Sequence, residues 1–311
     1  MDLLTWSAPV AAAITLAALW VLESFYPLLR GRKDRSRRAA RHFVLAGLNA
    51  GTAVLFSGAT LGVVTLGERY GFGVLRWLNL ERLADDIGPT LVGLAWAGLA
   101  FVLLDGWHWA FHVIAHKTPW LWKFHAVHHT DPEVDATTAM RFHCGEIAVQ
   151  CLASLPVYLL LGVSMSHILL YQLVLLPMAM FHHANLDLSP RVDRWLRAVI
   201  VTPRMHLMHH SRWTPETDSN YAAVLSWWDH LLGTYSSARD PQQVDTGLDG
   251  IEPRHVEGVR GMLSQPLSKA KSQYGRPPAE PGDDEPMAQA HQPPPLRDRS
   301  GAARSAPRSV A

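Results

Sequence analysis

One stretch limits the fold of this chain more than any other. An apolar, glycine-rich run over residues 89–104 continues without a helix-breaking signal into DGWHWAFHVIAHKTPWLWKFHAVHH, residues 105–129, which holds six histidines in 25 residues. At helical spacing His112 and His116 are i and i+4, and His125, His128 and His129 are i, i+3 and i+4. Each set therefore projects its imidazoles from one face. Two such sets nine residues apart, at the end of a run long enough to enter a bilayer, point to a metal site at a membrane surface.

The other apolar runs supply the frame. Residues 3–22 carry no charge until Glu23 and, at 1.5 Å per residue, can cross a hydrocarbon core of about 30 Å. A cleaved signal peptide is disfavoured, because no basic residue precedes the run and many follow it. Arg30, Arg32, Lys33, Arg35, Arg37, Arg38 and Arg41 form a basic loop that the positive-inside rule places in the cytoplasm, with the N-terminus outside. Residues 43–66 carry the chain outward, 68–88 read as an external connection at the interface, and 89–104 return it. Residues 146–161 and 166–181 flank Gly162-Val163-Ser164 as a helical hairpin, each arm at the short limit for spanning. The expectation is an all-α integral membrane protein with about four transmembrane helices and a cytosolic, histidine-rich helical cap. Its parts are N-terminal transmembrane helices with the basic loop (1–88), a catalytic domain (89–267) and a disordered, Pro-rich tail (268–311).

Hydrophobic residues at 48% and charged residues at 18% agree with a membrane protein, and a net charge of +1 singles out no partner and nothing that suggests nucleic acid. Cys144 and Cys151 sit seven residues apart, about 10 Å on a helix, too far for a disulfide, and read as buried free thiols. Beyond residue 181 the chain loses its membrane character. Arg191, Arg194, Arg197 and Arg204 give a cytoplasmic basic surface that suits an acidic electron donor or anionic lipid headgroups equally. Thr202-Pro203 is a helix start, and the helix it opens carries His206, His209 and His210. Residues 227–235, WWDHLLGTY, read as amphipathic, with an aromatic face suited to the membrane interface.

The candidate ligands are His112 and His116, then His125, His128 and His129, then His206, His209 and His210, with one of His182 and His183 at the end of the hairpin. That supply exceeds one four-coordinate ion and suits two metals of four or five nitrogen ligands each. With the basic loop inside, all these groups fall on the cytoplasmic face. No carboxylates interleave the boxes and no HExxH is present, which argues against a zinc hydrolase. The alternative of another class is a divalent-metal transporter or sensor. Transporters place their ligands at mid-span, whereas these lie at and beyond helix ends. Asp105 reads either as a carboxylate holding an imidazole N–H or as half of a salt bridge. Glu146, Asn185, Asn220 and Asp229 are further candidates around the ligands, and His108 carries less weight as a ligand. Met205 and Met208 read as packing residues, His42, His230, His255 and His291 as surface residues, and His167 as part of the outer turn.

Taken together, DGWHWAFHVIAH, LWKFHAVHH, RFHCGE, FHHANL and VTPRMHLMHHS followed by SNYAAVLSWWDHLLGTY resemble the fatty acid hydroxylase/sterol desaturase superfamily over residues 105–235. The resemblance implies a membrane anchor beneath a cytosolic cap that holds two iron ions, and O2 as oxidant. It implies a lipid, fatty-acyl or sterol-like substrate hydroxylated or desaturated at an unactivated C–H bond, in a bacterial inner membrane or its equivalent. It places the ligands at His112, His116, His125, His128, His129, His206, His209 and His210. The family's H-A-N element selects His183 over His182, and His143 falls in an R-F-H element where it lines the site. Val113 stands where the family usually has Arg, and Ala222 where it favours Gly, so substrate contacts differ while no ligand is lost. The chain carries no CxxCH, no dinucleotide fingerprint and no cysteine cluster, so electrons are expected from a separate ferredoxin- or cytochrome-type donor with its reductase.

Overall fold

A computed structural model describes residues 3–31, 34–78, 88–237, 240–251 and 257–268. The described residues form helices α1 (Leu3–Phe25), α2 (Arg35–Arg69), α3 (Val74–Leu78), α4 (Pro89–Lys117), α5 (Pro119–His129), α6 (Cys144–Leu161) and α7 (Met165–His183). Shorter helices follow: α8 (Pro190–Leu196), α9 (Pro203–His209), α10 (Thr214–Thr217), α11 (Trp227–Leu232) and α12 (Val259–Ser264). Strand pairing among the described residues is limited to isolated bridges. The Pro-rich tail beyond residue 268, His255, His291, Arg32, Lys33 and residues 79–87 of the external connection lie outside the described residues.

Among the described residues, five segments are long and apolar enough to cross a membrane: Ser7–Phe25, Arg35–Leu78, Pro89–Lys117, Cys144–Leu161 and Met165–His183. The fold is that of an all-α integral membrane protein. In it α1 packs on α7, α2 on α6, and α4 on α7, so the hairpin of α6 and α7 is held between the N-terminal helices and the histidine-bearing one. The side chains turned away from these contacts are apolar and open, such as Leu55 at 78% and Leu94 at 64% exposure, as surfaces facing lipid require. The hairpin turn is tight for a local reason. Gly162 caps α6 at φ +72°, Ser164 caps α7 by accepting the His167 N–H, and a Cβ on Gly73 would lie 2.3 Å from the Gly162 Cα.

The basic segment departs from its reading as a solvated loop. From Arg35 it is already helical, and Arg38 is buried beside the loop that follows α5, with Asp131 at 3.3 Å, Glu133 at 2.9 Å and Asp135 at 2.8 Å. Arg35 pairs with Glu23. His42, expected at the surface, is fully buried, with Nδ1 2.8 Å from Thr137 Oγ1 and Nε2 3.3 Å from an Arg141 nitrogen. Periodicity missed both because their partners lie 93 to 99 residues away in sequence. Asp131 shows the electrostatic consequence. Burial alone would raise its pKa, but Arg38 and Arg141 outweigh that and hold it well below the usual carboxylate range.

Candidate metal centre

Four separate parts of the chain bring imidazoles to one place. The last two turns of α4 carry His112 and His116. Thr118 then breaks the helix, Pro119 restarts it, and α5 presents His125, His128 and His129. The end of α7 contributes His183. Thr202 caps α9 by accepting the Met205 N–H, Pro203 takes the first helical position, and His206, His209 and the C-cap residue His210 follow. Nitrogen atoms of His112, His116, His125, His129 and His209 gather in one group, and those of His128, His183, His206 and His210 in a second. Within each group the ligand atoms lie within 4.8 Å of one another. All nine rings predicted from spacing and resemblance are in these two groups, and eight of them are buried, with His112 partly open.

Hydrogen bonding on the far side of the rings shows what the centre suits. His112 Nδ1 donates to the Tyr221 carbonyl at 2.7 Å, His183 Nδ1 to the Ala179 carbonyl at 2.7 Å and His209 Nδ1 to the Ser219 carbonyl at 2.8 Å. His125 Nδ1 donates to Glu146 Oε1 at 2.8 Å. A carbonyl only accepts, so the neutral ring carries its proton on Nδ1 and its lone pair on Nε2. Yet His112 Nε2 and His125 Nε2 face one another at 3.1 Å. Two lone pairs at that distance repel unless a cation lies between them. In the second group His183 Nε2 is 3.0 Å from His128 Nε2 and 2.9 Å from His206 Nε2. Nitrogens bound to one ion at about 2.1 Å are spaced by roughly 3.0–3.4 Å, so this packing matches a shared ion in each group. Burial, reinforced by neighbouring imidazoles, holds the pKa values of His128, His129, His206 and His210 well below the ordinary value, and burial pushes His209 down to about 3. These rings are neutral at physiological pH, which is the ligating form.

The two groups are supported unequally. In the five-ring group His112, His125 and His209 are oriented by oxygen acceptors, and His116 Nδ1 stands 3.5 Å from Asp218 Oδ1. In the four-ring group His183 has such an acceptor, whereas Nδ1 of His128, His206 and His210 is buried with no partner among the described residues. Glu146 brings a carboxylate within 3 Å of a ring nitrogen of the five-ring group. Tyr221, Ala179 and Ser219 act through backbone carbonyls, which leave no signature in a sequence.

The other predicted residues take different places. Asp105 holds no imidazole; it accepts from Tyr171 Oη at 3.1 Å, the Leu225 N–H at 3.0 Å and Trp228 Nε1 at 3.1 Å. Asp229 accepts the Tyr221 and Ala222 N–H groups at 2.9 Å each, together with Trp109 Nε1 and the Thr234 hydroxyl, and so fixes the loop whose carbonyl orients His112. Asn220, at φ +52°, braces that loop through the Met205 and Ser236 carbonyls. Asn185 is bonded to the Leu29 backbone, and His108 meets Gln150 at 3.4 Å. His143 caps α6 through Nδ1 and donates from Nε2 to the Leu263 carbonyl, which turns both nitrogens away from the cluster. His182 donates to the Ala223 carbonyl and lies outside both groups.

The fold and cluster define a membrane-embedded polyhistidine protein. Residues 97–234 match a family model described as fatty acid hydroxylase. The ornithine lipid hydroxylase OlsE of Rhizobium tropici is 31% identical over 133 residues, 42% of this chain and 35% of that protein. The alkylglycerol monooxygenase of Danio rerio is 34% identical over 150 residues, 46% of this chain and 31% of that protein. The chain thus spans about a third of the length of the curated relatives it matches. No solved structure matches. These matches support, for residues 97–234, a likeness to the fatty acid hydroxylase/sterol desaturase superfamily.

Proposed function

We propose that this protein is a membrane-bound, O2-dependent oxidoreductase that holds two iron ions in its nine imidazoles and hydroxylates, or desaturates, an unactivated C–H bond of a lipid. The observation that carries this reading is the convergence of nine imidazoles in groups of five and four, with paired lone pairs that call for cations. The names of the relatives, a lipid hydroxylase and an alkylglycerol monooxygenase, support a lipid substrate. Iron, when bound, supplies the reaction with O2 and the oxidation of the C–H bond.

The chain's own residues do the rest. The Tyr221, Ala179 and Ser219 carbonyls and the Glu146 carboxylate fix the protons of four rings on Nδ1 and aim the Nε2 lone pairs inward. The burial of eight of the nine rings excludes water from the reacting centre. Electrons come from a separate donor protein. The sidedness is cytoplasmic: Arg35 and Arg38 of the basic segment pack at the same end of the bundle as the loop that follows α5, which supports placing the cluster with the positive-inside charges.

The test is a comparison of lipid extracts from cells with and without the protein, grown under 18O2. A lipid that gains one 18O atom, or loses two hydrogens, only when the intact protein is expressed supports the proposal. Identical lipid profiles from an expressed, iron-loaded protein supplied with reductant would refute it.

A further inference from the structure

Helices α8 and α11 take no part in the imidazole cluster, yet both present large apolar side chains to the outside. Val192 and Trp195 on α8, Val199 just after it, and Trp227, Leu231 and Leu232 on α11 are between 44% and 75% exposed. A short backbone pairing joins the segment after α8 to the segment before α11: the Val201 N–H donates to the Val224 carbonyl at 3.0 Å and the Ser226 N–H to the Val199 carbonyl at 3.2 Å. Arg191 and Arg194 on α8 are exposed and have no acidic partner among the described residues, whereas Arg197 is held by Asp193 at 3.4 Å.

The attachment of α11 gives this surface a depth. Trp228 Nε1 donates to Asp105, and Trp109 Nε1 donates to Asp229, so α11 is fastened to α4 at residues 105–109. Gly106 makes the seat possible, because a Cβ there would lie 2.7 Å from the Trp228 ring. Asp105 and Trp109 stand 16 and 20 residues beyond Pro89, where α4 begins. At 1.5 Å per residue that is about 24 and 30 Å, the thickness of the hydrocarbon core. The outward face of α11 and its neighbour α8 therefore sits where α4 leaves the hydrocarbon. A soluble partner would dock higher.

We propose that the α8–α11 surface is a lipid-binding face that rests in the interface of an anionic leaflet. Its Trp, Leu and Val side chains enter the boundary between headgroups and acyl chains, and Arg191 and Arg194 meet lipid phosphates. Asp229 of α11 accepts the Tyr221 and Ala222 N–H groups, which joins the face to the loop whose Tyr221 carbonyl orients His112. His112 lies seven residues, about 10 Å, beyond Asp105 on α4. On the function proposed above, anchoring the face thus sets the height of the imidazole cluster over the bilayer.

The test uses the full chain with Cys144 and Cys151 replaced by alanine, nitroxide-labelled at Leu231→Cys or Trp195→Cys, with Gln243→Cys as an exposed reference. In vesicles of phosphatidylcholine with phosphatidylglycerol, the labels at 231 and 195 should be reached by oxygen in preference to a water-soluble nickel chelate, and the label at 243 the reverse. Adding Arg191→Glu and Arg194→Glu should shift the labels toward water in these vesicles and leave them unmoved in phosphatidylcholine alone. Labels at 231 and 195 as open to the nickel chelate as that at 243 would overturn the proposal. So would labels shielded from both reagents, the mark of a covering protein. A depth indifferent to the arginine changes would overturn the assignment of an anionic surface.

Discussion

Glu146 offers the sharpest perturbation of the candidate metal centre. Its carboxylate is 5% exposed and receives the His125 Nδ1 proton at 2.8 Å, so solvent does little to screen the charge. A buried carboxylate behind an imidazole fixes the tautomer and raises the basicity of the ligating nitrogen, and its loss typically weakens metal binding by about 10- to 100-fold, roughly 1.4–2.7 kcal/mol. Glu146→Gln keeps an acceptor and removes the charge, so it belongs near the tenfold end. Glu146→Leu also leaves the His125 N–H buried without a partner and belongs near the hundredfold end. Because Glu146 touches the five-ring group alone, the loss should fall on one ion of the pair. The assay is a chelator titration of detergent-purified, iron-loaded protein that follows the iron retained per chain. Wild type should lose both ions in one late step, and Glu146→Leu one ion early and the other late. Two ions released from Glu146→Leu at the wild-type chelator concentration, or both released early together, would refute the reasoning.

Other outcomes follow from the same contacts. His182→Ala should retain wild-type iron while His183→Ala loses it, since one ring lies outside the four-ring group and the other within it; equal losses in metal analysis would contradict the assignment. Arg38→Met removes the partner of two buried carboxylates, Asp131 and Asp135, and should destabilise the fold by about 3–5 kcal/mol, read as a lowered melting temperature in detergent. Asp131 has its pKa depressed by Arg38 and Arg141, so it stabilises the fold above the unfolded carboxylate pKa of about 3.9, and that share is lost as pH falls through the lower folded value. Melting temperatures measured from pH 7 downward should therefore fall on the acid side in wild type and fall less steeply in Arg38→Met. Gly106→Ala drives a Cβ to 2.7 Å from the Trp228 ring and should cost about 1–3 kcal/mol, checked by the same melting assay.

The sequence and the structure agree where spacing carries the information and part where long-range pairing does. The runs that became α1, α2, α4, α6 and α7 are readable because a membrane-length helix must be apolar over its whole length. The i, i+3 and i+4 spacing of the histidine boxes named eight of the nine rings that the fold gathers, since a helix turns that spacing into one face. The ninth, His183, is indistinguishable from His182 by spacing, and what separates them in the structure is rotation about the end of α7: one ring reaches His128 and His206, the other the Ala223 carbonyl. The residues around the cluster were far less legible. Asp105, an acid at the end of a membrane span, reads either as a ring partner or as half of a salt bridge, whereas it accepts from Trp228 and the Leu225 N–H. His42 reads as a surface residue and Arg38 as part of a cytoplasmic basic loop, while their burial depends on a loop nearly a hundred residues later.

The most direct test of the account is the iron content of the full chain, purified in detergent from iron-replete cells, beside His128→Ala and His209→Ala. These variants each strike a different group of imidazoles. Two irons per chain are expected in the wild type, one fewer or none in each variant, and reduction-dependent O2 consumption that disappears in both. A single zinc, retained in either variant and without O2 consumption in the presence of any reductant, would contradict it.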